Sequence, residues 1–238
     1  MRTIAPSLIV ALLLAAGPAA AAAAAGLTVF GDSYSIPVHH GVTTWVAQLR
    51  DQGVVGPVRD FARSGASAAS IGGDTFAAQV RRWRAAGRPL GDTVVFLGGN
   101  DVGGDLGRAQ AGYQAGVNAL VAGGATAGAN RLLLVLFPDV GAAPAFNRDP
   151  ARRAAFRDQT RRLDAFIRSV AGRAHATVVD LFSVVDGVLA HPRAEGFTNV
   201  TTADHARSAT TALYDDPVHF GRHGQAIIAR TIRARLRR

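Results

Sequence analysis

The chain has 238 residues, 26 arginines with no lysine, no cysteine and a formal charge of +9. That length suits one ordinary domain or at most two small ones, and 48% hydrophobic against 18% charged residues provides a core and argues against intrinsic disorder. Lack of cysteine excludes a disulfide framework, a thiolate metal site and a cysteine nucleophile, and lack of lysine excludes a Schiff base or a phosphate-loop lysine.

Met1-Arg2, an apolar run from Ile4 to Ala16, the Gly17-Pro18 break and the alanines from Ala19 to Ala25 read as a secretory signal peptide cleaved before Gly26. A retained membrane anchor is the alternative, and the Gly17-Pro18 break weighs against it. Residues 26–238 then form a single exported domain of charge +8, released to the periplasm or the medium. Leu27 to Phe30 predicts a first strand, and Val42, Trp45, Val46 and Leu49 fall at helical spacing. Val54-Val55 with Val58 to Ala62 predicts a second strand region. Phe76, Val80 and Trp83 predict a helix with Asp74 as its N-cap. Val94 to Leu97 reads as a buried strand, and Tyr113, Val117, Leu120 and Val121 as a helix ended by Gly123-Gly124. Leu132 to Phe137 is the most hydrophobic strand. Phe156, Leu163, Ile167 and Val170 line one face of a helix starting near Pro150, Thr177 to Leu181 predicts a fifth strand, and Ile228, Ile232 and Leu236 a last helix. The stretch from His191 to Asp215 reads as one long irregular loop, a length more often functional than idle. Five apolar strands alternating with helices predict an α/β fold with a parallel sheet covered on both faces and a ligand site at the carboxyl ends of its strands.

Three of those strand ends carry polar groups: Gly31-Asp32-Ser33, Arg63-Ser64-Gly65-Ala66 and Gly98-Gly99-Asn100-Asp101. Asp216-Pro217-Val218-His219 precedes the last helix. Together they suit acyl transfer to water. A serine hydroxyl needs a base to take its proton, and His219 is a candidate. Asp216, three residues earlier, can reach its Nδ1, fix the tautomer and stabilise the imidazolium. The N–H groups of Ser33 and Gly65 and the Asn100 amide are candidate donors to the oxyanion.

These blocks resemble the GDSL, or SGNH, hydrolases. Phe30-Gly31-Asp32-Ser33 is similar to the family's first block, Gly65 to its second-block glycine, Gly98-Gly99-Asn100-Asp101 to its third block and Asp216-Pro217-Val218-His219 to its fifth. Pro138-Asp139-Val140-Gly141 and His191-Pro192 to Gly196-Phe197 resemble the lipase and esterase branch. The resemblance implies a flavodoxin-like three-layer α/β/α sandwich with a five-stranded parallel sheet, Ser33 as nucleophile, His219 as base, Asp216 as its partner, Ser33, Gly65 and Asn100 as the oxyanion hole, and neither metal nor cofactor. The chain departs from the family pattern at Tyr34-Ser35, at Asp60 and at Phe220-Gly221, which blurs the sub-branch and therefore the substrate.

Each residue also has a plainer reading. Gly-Asp-Ser is often just a turn, and Ser35 reads as a loop hydroxyl. Asp215 is an alternative partner for the base. His223, four residues after His219, suggests a metal pair but lacks an acidic third ligand and reads as structural. His39-His40 reads as a solvated loop, with a pocket-rim role as the alternative. Phe197, Tyr214 and the loop from His191 to Asp215 are candidates for the pocket rim. On the helix from Pro150, Arg153, Arg157, Arg161 and Arg168 form a stripe, with Asp164 spaced to pair with Arg168 and Asp158 with Arg162. Five more arginines occupy the last nine residues. Both clusters read as solvated faces, compatible with contact at an anionic envelope surface. No aromatic interleaving or nucleic-acid motif accompanies them, so no nucleic-acid partner is expected. Three functions follow for comparison: an exported serine esterase or lipase, a carbohydrate O-acetyl esterase on the same machinery, and a catalytically idle basic surface-binding protein.

Overall fold

The structure is a computed structural model that describes residues 26–37, 39–69 and 74–236; the stretch read as a signal peptide lies outside them. In chain order the elements are β1 (Leu27–Gly31), α1 (Trp45–Asp51), β2 (Val58–Asp60), α2 (Phe76–Ala85), β3 (Asp92–Phe96), α3 (Leu106–Ala122), β4 (Leu132–Val135), α4 (Pro150–Ala174), β5 (Thr177–Val179), α5 (Leu181–Ala190), β6 (Asn199–Ala203), β7 (Ala212–Tyr214) and α6 (Arg222–Leu236).

Strands β1 to β5 form one sheet in the order β2-β1-β3-β4-β5, every neighbouring pair parallel. Side chains alternate between its faces as the period of two requires. Val29, Val94, Phe96, Leu133 and Val135 pack toward Trp45, Leu49, Val185 and Ile228 of α1, α5 and α6. Phe30, Val95, Leu97, Leu134 and Leu136 pack toward Phe76, Val117, Leu163 and Ile167 of α2, α3 and α4. The layers are therefore α/β/α, as expected.

The helix starts follow from local hydrogen bonding. Thr44, Thr75, Asp105, Asp149 and Asp180 each accept a first-turn N–H at the start of α1 to α5, each cap worth about 1 kcal/mol. The α2 cap is thus Thr75 and not Asp74, which instead accepts from the Thr75 N–H and pairs with Arg82 at 2.5 Å. Two expectations fail after β4. The fifth strand stops at Val179, because the Asp180 side chain caps α5, a helix the apolar run from Leu181 had concealed. The stretch from His191 to Asp215 is not irregular throughout: β6 and β7 pair in parallel within it.

Candidate active site

The carboxyl end of β1 delivers Gly31, Asp32 and Ser33 to the edge of the sheet. The buried amide of Gln79 on α2 grips Gly31 from both sides, accepting its N–H at 2.9 Å and donating to its carbonyl at 2.7 Å. That grip locates the turn on which Ser33 sits. Ser33 Oγ lies 2.8 Å from His219 Nε2, and His219 Nδ1 lies 2.7 Å from Asp216 Oδ2. The other carboxylate oxygen, Oδ1, accepts the backbone N–H of Val218 at 2.8 Å and of His219 at 2.7 Å. Asp216-Pro217-Val218-His219 is therefore a turn wrapped around its own first side chain. Burial pushes the Asp216 carboxyl up, but the hydrogen bonds from the His219 ring and the two N–H groups prevail and bring it to about 2. An ionised carboxylate on Nδ1 keeps the ring proton there and leaves the Nε2 lone pair facing Ser33.

Tyr34 backs the histidine. Its ring centroid lies 5.7 Å from that of His219, and its hydroxyl donates to the Val218 carbonyl at 2.5 Å. The contact fastens the residue after the serine to the turn that carries His219. In the sequence Tyr34 stands out only as a departure from the family pattern, since its partner lies 184 residues away.

The second and third strand ends are tied together. The Asn100 amide donates to the Ala66 carbonyl at 2.9 Å, and the buried Asp101 carboxylate accepts the N–H groups of Ala68 and Ala69, each at 2.9 Å. Gly65 has φ +70°, a left-handed conformation that favours glycine. Among the described residues, neither the Ser33 nor the Gly65 N–H makes a hydrogen bond. Ser33 and Asn100 line one pocket; Gly65 is exposed and lies outside its wall, joined to Asn100 through Ala66.

That pocket encloses about 230 Å³. Asp32, Ser33, Asn100 and His219 form its polar side, and Phe137, Val140, Ala143, Phe146 and Val218 its apolar side. Much of the wall therefore comes from the segment after β4. Asp139 shapes that segment by accepting the Gly141 N–H at 2.9 Å while Arg157 of α4 holds its other oxygen at 2.5 Å. Of the expected rim residues, Tyr214 lines the pocket, but Phe197 is fully buried and stacks on His223 with centroids 4.2 Å apart. Asp32 faces the same pocket; burial raises its carboxyl to about 7 against the Tyr34 N–H bond, and Oδ2 has no hydrogen-bond partner among the described residues.

The remaining candidates separate clearly. Asp215 does not reach the His219 ring. It is buried, and accepts from Ser208 Oγ at 2.7 Å, with His205 Nδ1 at 2.7 Å and His40 Nδ1 at 2.8 Å. Burial raises its carboxyl, but those partners hold it below the usual range. His40 is thus tied down rather than a freely solvated loop residue. His223 bonds the Thr210 carbonyl, in keeping with its structural reading. Ser35 Oγ accepts from the Trp45 indole at 3.3 Å. Asp158 pairs with Arg162 at 2.8 Å as spaced, whereas Arg168 pairs with Asp180 at 2.7 Å and not with Asp164. The buried Asp164 instead accepts the Phe137 N–H at 2.9 Å. Arg157 leaves the solvated stripe to hold both Asp139 and Asp186.

Residues 29–227 match the GDSL-like Lipase/Acylhydrolase family. No curated protein sequence matches the chain. Among solved structures the fold is similar to Axe2, an acetylxylan esterase from Geobacillus stearothermophilus, with TM-score 0.61 and 16% identity over 89% of this chain and 93% of that one. It is similar to a lipolytic G-D-S-L protein from Veillonella parvula DSM 2008, with TM-score 0.58 and 13% identity over 87% and 94% of the two chains. It is also similar to TesA, with TM-score 0.57 and 21% identity over 89% and 98%.

Proposed function

The chain belongs to the GDSL-like Lipase/Acylhydrolase family, and on that premise we propose that it is an exported serine esterase that cleaves carboxylic esters through an acyl-Ser33 intermediate. The observation that carries the reading is the continuous hydrogen-bond chain from Ser33 Oγ through His219 to Asp216. In the first step His219 Nε2 takes the Ser33 proton as Oγ bonds to the ester carbonyl carbon. Asp216 stabilises the imidazolium that results. The oxyanion is held by the N–H groups of Ser33 and Gly65 and by the Asn100 amide, donors that need no positive side chain. The protonated His219 then gives its proton to the departing alcohol. A water repeats the sequence on the acyl-enzyme and releases the carboxylic acid.

The apolar side of the pocket supports an acyl group of several carbons as the part of the substrate bound there. The competing reading is a carbohydrate O-acetyl esterase with the same site, favoured by the fold's likeness to an acetylxylan esterase. Neither reading needs an arginine at the reacting atoms, and apart from Arg157, which holds Asp139, the net charge is read as a surface property, compatible with contact at an anionic envelope. Export rests on residues 1–25 and is tested by whether the protein recovered outside the cytoplasm begins at Gly26.

Purified protein is assayed on short p-nitrophenyl esters beside Ser33→Ala. Hydrolysis by the wild type and none above background by the variant is expected; equal rates would refute the mechanism. Acetate release from acetylated xylan, compared with fatty-acid release from lipid, separates the two substrate readings. Salt-sensitive binding to anionic vesicles without hydrolysis by the wild type would instead favour the idle surface-binding protein.

A further inference from the structure

The strap that carries Asp216 also carries Asp215, and Asp215 gathers a separate group of side chains. Its carboxylate, 2% exposed, holds His40 Nδ1 on Oδ2 at 2.8 Å and His205 Nδ1 on Oδ1 at 2.7 Å. The two imidazoles lie with centroids 3.9 Å apart and planes tilted by 39°. We propose that His40, His205 and Asp215 form a binding site for one divalent transition-metal ion of the zinc class, distinct from the Ser33 site.

The donor set is the first reason. Two imidazole nitrogens and one carboxylate suit zinc, nickel, cobalt or copper better than magnesium or calcium, which prefer all-oxygen shells. The spacing is the second. One ligand atom from each residue lies within 4.8 Å of the others. A tetrahedral ion with nitrogen and oxygen ligands at about 2.0–2.1 Å places them roughly 3.4 Å apart, a difference that side-chain rotation covers. Both Nδ1 atoms already aim at one carboxylate. Moving each ring proton to Nε2 turns both lone pairs inward, and the two side chains are 48% and 58% exposed. The same exposure gives an ion an entry path and leaves its remaining positions to water.

The surroundings are the third reason. Ser208 Oγ donates to Asp215 Oδ1 at 2.7 Å, the kind of outer contact that orients a ligating carboxylate. His40 has φ +55° and ψ +10°, a left-handed conformation that a non-glycine residue keeps only when its surroundings impose it. The three ligands come from the loop after β1, the turn between β6 and β7, and the strap after β7, so an ion would join three segments. The Asp215 N–H donates to the His219 carbonyl at 2.9 Å, which makes the bound ion a brace for the strap rather than a participant in ester cleavage.

The test uses tag-free protein stripped with EDTA, ZnCl₂ as the titrant, and the variants His205→Gln and His40→Ala. Calorimetry should give one zinc per chain with Kd below about 10 μM. Tm should rise by roughly 5–10 °C when zinc exceeds Kd by about a hundredfold. Each variant should lose at least as much affinity as the loss of an outer partner costs, about 100-fold. Both should hydrolyse p-nitrophenyl esters in EDTA at the wild-type rate, which also reports their folding. Absence of saturable binding below about 10 μM, or binding unchanged in a variant that retains hydrolysis, would overturn the proposal. Should one variant fail to fold, the other decides.

Discussion

Asp216→Asn tests the reasoning about the base at a single atom. In the wild type one carboxylate oxygen takes two backbone N–H groups, at 2.8 and 2.7 Å, and the other faces His219 Nδ1 at 2.7 Å. An asparagine has one oxygen and one NH₂ for those two positions. With its oxygen on the backbone pair, its NH₂ meets Nδ1, so the ring proton moves to Nε2 and the lone pair that should face Ser33 is lost. The reverse orientation keeps the tautomer but sets the NH₂ against two backbone donors, costing about 1–3 kcal/mol for each one left unsatisfied. The competent fraction then falls by about 30-fold at least and about 10⁴-fold at most, and loss of the negative charge beside the imidazolium lowers the rate further. The expected outcome is a kcat reduced about 10³-fold with KM little changed and Tm lowered by a few degrees, measured on p-nitrophenyl butyrate with Ser33→Ala as the floor. A kcat within about tenfold of wild type would refute the tautomer argument.

Three other changes probe the pocket and the core. If the apolar wall binds the acyl chain, kcat/KM should rise about fourfold for each added methylene until the cavity is full, at about 0.8 kcal/mol per CH₂; a steady fall from acetate onward favours the O-acetyl esterase reading. A Cβ at Gly99 would overlap the Phe137 ring, so Gly99→Ala should push that ring toward the pocket, reduce hydrolysis of longer acyl esters more than of acetate, and lower stability by about 1–3 kcal/mol in urea unfolding. Burial raises the Asp164 carboxyl from 3.8 to about 8, so the folded protein keeps a proton that the unfolded chain releases. Stability from that proton is complete below about pH 4 and lost as pH rises toward 8. Asp164→Asn keeps an oxygen for the Phe137 N–H and should gain on the order of 3 kcal/mol at pH 8, with little change near pH 4; parallel pH profiles for the two proteins would contradict this.

The parts legible in the sequence are those whose physics is local. Continuously apolar runs such as Val94 to Leu97 declare the sheet, because a strand buried on both faces must be apolar along its whole length. Asp216 and His219 can be paired on paper because the turn between them closes within four residues. The same local rules mislead where two structures share one pattern. Leu181 to Leu189 is apolar enough to pass for more strand, and only the Asp180 cap settles it as helix; β6 has β-branched Val200, Thr201 and Thr202 but lacks the apolar run that marks the sheet strands. Asp164 has the right spacing for Arg168, yet the end of β4 brings it the Phe137 N–H instead.

Composition, the parallel α/β class, the four blocks and the candidate nucleophile, base and donors belong to the sequence alone. Tertiary structure decided the rest: Gln79 gripping Gly31 across 48 residues, Tyr34 fastening Val218 across 184, and His40 meeting Asp215 across 175. It also placed an apolar pocket wall after β4 and moved Phe197 from the rim into the core. The reason is physical. A hydrogen bond between neighbours is constrained by the chain itself, whereas one between distant segments exists only after packed helices and strands have fixed both ends within reach.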